Sequence, residues 1–179
     1  MKADHSNKAF RRYFSGLAEN TFQTKLGVAD PPLIDYLSNL LIRFVRSDTV
    51  HGIRSATGRP LLTVSEMTAE AKQRLGDAKR EVHQHIGDFT LFWAGVYPEA
   101  LRRRGADPDQ QFESYCSHGK RAYLIASTIQ CDGDEQASGN VLERLSERFE
   151  LCAYGLREVR REWESGEGGQ DGARWILLN

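Results

Sequence analysis

The chain has 179 residues, 40% apolar and 27% charged, with a formal net charge of −1. That length can bury a real core in one domain, and the even charge balance argues against a protein whose main task is coating nucleic acid, because neutralising phosphates needs a basic surplus. Cys116, Cys131 and Cys152 have no CxxC spacing, which argues against a disulfide framework or structural zinc. No apolar run of about 18 residues offers a membrane span, and the start Met1-Lys2-Ala3-Asp4-His5 has no apolar signal region, so a reduced, cytoplasmic compartment is expected.

The first helix is expected over residues 9–26. Phe14, Leu17, Ala18, Phe22 and Leu26 recur on one face and Gly27 ends it. Asp30-Pro31-Pro32 opens the second helix, an N-cap followed by prolines where absent N–H groups do no harm. Leu33, Leu37, Leu40, Leu41, Phe44 and Val45 form its apolar face. Residues 48–61 read as a loop; its Arg54, Ser55, Thr57 and Arg59 could grip an anion, although a solvated loop is the plainer reading.

Thr63-x-x-Glu66 has the capping-box pattern and starts a long third helix running to about Val96, before Pro98. Its seam is Ala71, Leu75, Ala78, Val82, His85, Phe89, Phe92 and Val96, advancing by alternating fours and threes. Gly76, Gly87 and Gly95 imply a close neighbouring helix, a kink or a break into two. The fourth helix follows Asp107-Pro108 and reaches about Gln130, with a small-residue seam of Phe112, Tyr115, Gly119, Ala122, Ala126 and Ile129. The fifth carries the strictest register: Leu142, Leu145, Phe149, Cys152, Leu156, Val159 and Trp163. A glycine-rich linker then leads to the apolar tail Trp175-Ile176-Leu177-Leu178. The expected fold is all-α: one bundle over residues 1–165, with about five helices and long antiparallel neighbours, followed by linker and tail over 166–179. Only Leu61-Leu62-Thr63-Val64 looks β-like, and it is too short to build a sheet.

His85 stands out because a polar group on a packed seam needs a partner. Glu81, His85 and Asp88 share one helical stripe, a donor set suited to iron, manganese or zinc. His83 points to the far side, towards solvent. His118 could reach His85 if the third and fourth helices are antiparallel neighbours. Glu81, His85, Asp88 and His118 are therefore the candidate metal site, with haem on either histidine as a variant. The Glu-x-x-His motif of di-iron bundles is absent. The plainer reading makes His85 a neutral core imidazole bonded to a carboxylate or a tyrosine on the next helix, with Asp88 able to hold its tautomer.

Phe89 to Tyr97 is apolar nearly all round the helix, so it is either central or shared with a partner. Leu91, Phe92 and Trp93, with Trp175, Ile176 and Leu177 of the tail, are the candidate interface. No nucleophile elbow, P-loop or dinucleotide fingerprint is present. Two readings follow. The preferred one is a non-catalytic bundle acting through protein association, as a homodimer, with no membrane or nucleic-acid partner. The other is a metal- or haem-binding bundle with redox or oxygen chemistry at His85 and His118.

Overall fold

The computed structural model describes residues 2–45, 52–102, 108–130 and 137–166. It is all-α, with no strand among the described residues beyond one isolated bridge between Arg54 and Pro60. Helix α1 (Lys2–Glu19) runs into a π-helical stretch, Asn20–Lys25, which Gly27 closes in the left-handed region at φ +66. Helix α2 (Pro31–Val45) is capped by Asp30, whose Oδ1 accepts from the Leu33 N–H at 3.3 Å. Thr63 and Glu66 form the full capping box that starts α3 (Val64–Gln73).

The long third helix of the sequence reading is two helices. Arg74 and Leu75 are extended (ψ 157 and 160), and α4 (Gly76–Gly95) starts from a glycine at φ +55. A side chain at Gly76 would be strained there, so the glycine makes the break possible. The seam is buried at Ala71, is lost at Leu75 and Ala78 around the break, and holds again from Val82 onward. Leu75 is 84% exposed and Ala78 is also exposed, whereas Val82, His85, Phe89, Phe92 and Val96 are buried.

A short helix, α5 (Pro98–Arg102), precedes α6 (Pro108–Thr128). The predicted fifth helix is also divided, into α7 (Gly139–Glu147) and α8 (Phe149–Ser165), at Arg148 (φ −110, ψ 26). The break does not disturb the register: all seven seam residues from Leu142 to Trp163 are buried. The eight described helices outnumber the five expected because two long patterns each contain a break that periodicity does not register, and because the short α5 stands as a helix of its own.

Helix α4 packs against α2, α3, α6 and α8. Its pairing with α6 is antiparallel: Arg80 lies by Ala126, Gly87 by Tyr123 and Thr90 by Gly119. Small residues allow the approach. A Cβ at Gly87 would sit 2.6 Å from the Tyr123 ring, and one at Gly119 would sit 2.3 Å from Phe149 and 2.5 Å from Thr90 Oγ1. Arg80 is 1% exposed and donates to the carbonyls of Ala126 (3.0 Å) and Ala137 (2.6 Å), joining the end of α6 to the approach to α7. Helix α8 lies antiparallel on α1, with Phe14 edge-on to Trp163 at 5.1 Å.

These contacts separate two glycine substitutions. Gly119→Ala is expected to cost about 1–3 kcal/mol by overpacking against Phe149 and Thr90. Gly16→Ala, at an exposed α1 position with nothing within 4 Å, is expected to stabilise by about 0.5–1 kcal/mol. Thermal melts of the two variants should therefore shift in opposite directions.

Candidate functional site

The buried polar centre of the bundle is Asp88, not His85. Asp88 is 1% exposed and sits where α2, α4 and α6 meet. Its Oδ1 accepts from the Tyr36 hydroxyl at 2.5 Å and the Tyr123 hydroxyl at 2.8 Å, and its Oδ2 accepts from Arg43 Nη2 at 3.0 Å. Gln84 donates to the Tyr36 oxygen at 3.1 Å. Three helices thus converge on one carboxylate through charge-assisted bonds.

The local sequence explains the convergence. Tyr36 and Arg43 are seven apart and share a flank of α2. Tyr123 neighbours the small-residue seam position Ala122, so its ring crosses to α4 where Gly87 leaves room. Burial first, and the Asp88 charge second, hold the Tyr36 and Tyr123 phenols well above their ordinary 10.0. For Arg43, burial is the largest influence and would lower the pKa, but the Asp88 charge and hydrogen bond together with Tyr36 and Tyr123 outweigh it and the pKa is raised.

His85 is buried as expected, but its expected polar partner is absent among the described residues. Its Nε2 makes no hydrogen bond, and the ring instead stacks on Phe44 at 6.1 Å and lies near Phe89 at 6.4 Å. The neighbouring tyrosines and Asp88, proposed as partners for the imidazole, are committed to one another. Burial lowers the His85 pKa and so favours the unprotonated ring. His83, expected in solvent, is buried, with its Nδ1 unpartnered among the described residues. Burial, then the charges of Lys79 and Arg121, lower its pKa too.

The four candidate metal ligands do not come together. Glu81 and His118 are exposed, and the His118 Nδ1–H donates to its own helix at Ser114 O, 2.7 Å away. His118 instead borders a cleft of about 430 Å³ between α3 and α6, with Lys72 and Tyr115. No group of three or more His, Cys, Asp or Glu side chains among the described residues is placed to hold a metal ion.

Of the candidate interface, Leu91 and Phe92 are buried by the chain's own helices and cannot meet a partner. Trp93 is half-buried. The segment is apolar all round because α4 is enclosed by the bundle. Trp175, Ile176 and Leu177 lie outside the described residues, as does Cys131. Burial pushes the Cys116 thiol up to about 11 and the Cys152 thiol to about 12, so neither is an activated nucleophile. The loop arginines are held locally: Arg54 donates to Gly58 O and Arg59 to Glu66.

Tyr36, Arg43 and Gln84 also line a cleft of about 400 Å³ between α2, α4 and α7, with Pro32, Asn39, Ala137 and Val141. Sequence reasoning missed every member of this arrangement except Asp88. The available signal was the i, i+7 spacing of Tyr36 and Arg43 beside an otherwise apolar stripe. No helix among the described residues is long and apolar enough to cross a membrane. No family model, curated protein or solved structure matches the chain.

Two expectations follow. Asp88→Ala strands two buried hydroxyls and an arginine and should cost about 3–5 kcal/mol in chemical denaturation, whereas Tyr36→Phe removes one bond and should cost about 1 kcal/mol. The second concerns pH. His85 titrates lower in the folded chain than its ordinary 6.5, so below that value the unfolded state binds the extra proton. Stability should be full above pH 6.5 and fall as pH drops through the folded-state pKa. His85→Phe should flatten part of that slope, with His83 responsible for the remainder.

Proposed function

We propose that this chain is a non-catalytic helical bundle that acts by protein association, in the first instance with a second copy of itself. The observation that carries the reading is the outer face of α8. Its inner seam is buried in the bundle, yet Leu151 (38% exposed) and Tyr154 (49%) stand three apart on the opposite side. A two-fold copy running antiparallel would join the apolar pairs, as a self-complementary interface requires. This face replaces Leu91 and Phe92, which the bundle has consumed. The non-catalytic part is supported by the Asp88 cluster, whose groups are engaged in holding one another.

Sedimentation of the full chain at tens of micromolar should give twice the 20.3 kDa of one chain. Leu151→Glu combined with Tyr154→Glu should give the single-chain mass with an unchanged helical spectrum. A wild-type chain that sediments as a monomer defeats the homodimer; a charged double variant that remains dimeric defeats the assignment to α8.

A second reading rests on His85, a buried imidazole that favours its unprotonated form and whose Nε2 is unpartnered among the described residues. Such a nitrogen is chemically suited to ligate a metal or haem iron. Metal content and a Soret band in the purified chain, each lost in His85→Phe, would establish it; a metal-free, colourless protein ends it.

A further inference from the structure

The Asp88 cluster does more than join three helices, because it fixes a guanidinium at the edge of a cleft. Arg43 uses one of its five N–H donors on Asp88 and lies over the Tyr36 ring at 5.9 Å. Its side chain is 39% exposed, and Asp88 is its one polar partner among the described residues. A surface arginine ordinarily samples many rotamers. This one is held at its tip by a carboxylate that is itself fixed by two phenols, so little further ordering is needed for a ligand to use the remaining donors.

What surrounds Arg43 defines the ligand. Pro32, Tyr36, Asn39 and Arg43 fall on one stripe of α2 at spacings of four, three and four, and all four line the cleft. Asn39 is exposed and stands one turn before Arg43, so its amide adds a donor beside the guanidinium. Gln84 of α4 also lines the cleft, and Pro32 and Val141 of α7 give its lining an apolar part. The cleft of about 400 Å³ has the size of a small-molecule site. Arg43 and Asp88 together carry no net charge. A ligand is therefore held by short, directional bonds rather than by a long-range field, which favours an acceptor that is itself charged and planar.

We propose that the cleft between α2, α4 and α7 binds the carboxylate of a small acid with a short apolar body, through the free edge of Arg43 and the Asn39 amide. The proposal is independent of the α8 interface and stands or falls separately from it.

The test is a titration of the full-length protein followed by the Arg43 Nε–H and Asn39 side-chain amide signals in proton–nitrogen correlation spectra. Butyrate and succinate are the probes, with butyramide as the neutral counterpart of butyrate. Saturable shifts of both signals are expected, with a Kd of about 1 mM or tighter for at least one acid, and no saturable shift is expected with butyramide. Arg43→Lys keeps a positive charge opposite Asp88 but loses the planar fork, so binding should weaken by about tenfold. Asn39→Ala leaves the buried cluster untouched and keeps the test valid should Arg43→Lys unfold; binding should weaken severalfold. The proposal is overturned if neither acid gives a saturable shift, if butyramide binds as well as butyrate, or if Asn39→Ala binds both acids like the wild type.

Discussion

Burying the Asp88 carboxylate is the constraint on which the rest of the bundle depends. An ionised carboxylate removed from water without compensation would cost several kcal/mol. Here it receives two hydroxyls and a guanidinium, one set from α2 and one from α6. Each donor must arrive at a fixed distance, so the positions of α2 and α6 relative to α4 are tied to a single point. Apolar packing is non-directional and tolerates sliding; this cluster does not.

The cluster requires close helices, and the glycines of α4 and α6 provide them. Tyr123 reaches Asp88 because Gly87 has no side chain where the phenol ring passes. Gly119 similarly admits Phe149 and the Thr90 hydroxyl, which bonds back to its own helix at Ile86 O and Gly87 O. Two further arginines close the bundle at carbonyl ends. Arg80 does so inside the core, and Arg160 at its edge, donating to Val96 O at 2.6 Å while lying over the Tyr97 ring at 4.4 Å.

The same burial directs the chemistry. The two phenols of the Asp88 cluster and both described cysteines are pushed towards their neutral forms, and His83 and His85 are pushed the same way. Phenols and thiols that stay protonated stabilise a dry core and are poorly suited to nucleophilic work near neutral pH, whereas the two imidazoles are shifted towards the unprotonated form, which keeps a ring nitrogen lone pair. Polar capacity is left at the surface, where Arg43 and Asn39 border one cleft and His118 and Lys72 border another.

The sequence by itself determined the helical class, the caps at Asp30 and Thr63, and most of the inward faces. These follow from backbone chemistry and from apolar periodicity, which are local properties of a helix. The seam from Leu142 to Trp163 could be read even across the break at Arg148, because burial follows register and not helix continuity. His85 was legible as buried for the same reason, and Asp88 was legible as a neighbour one turn away. Which of the two would be the polar centre was decided only by the tertiary structure. It depends on Tyr36, Arg43 and Tyr123, which lie 52, 45 and 35 residues from Asp88 along the chain. It also separated His118 from His85, exposed Leu75 beyond the turn at Gly76, and enclosed Leu91 and Phe92. Periodicity states which side of a helix is apolar; it does not state which helix arrives to cover that side, nor which donor reaches a buried charge first.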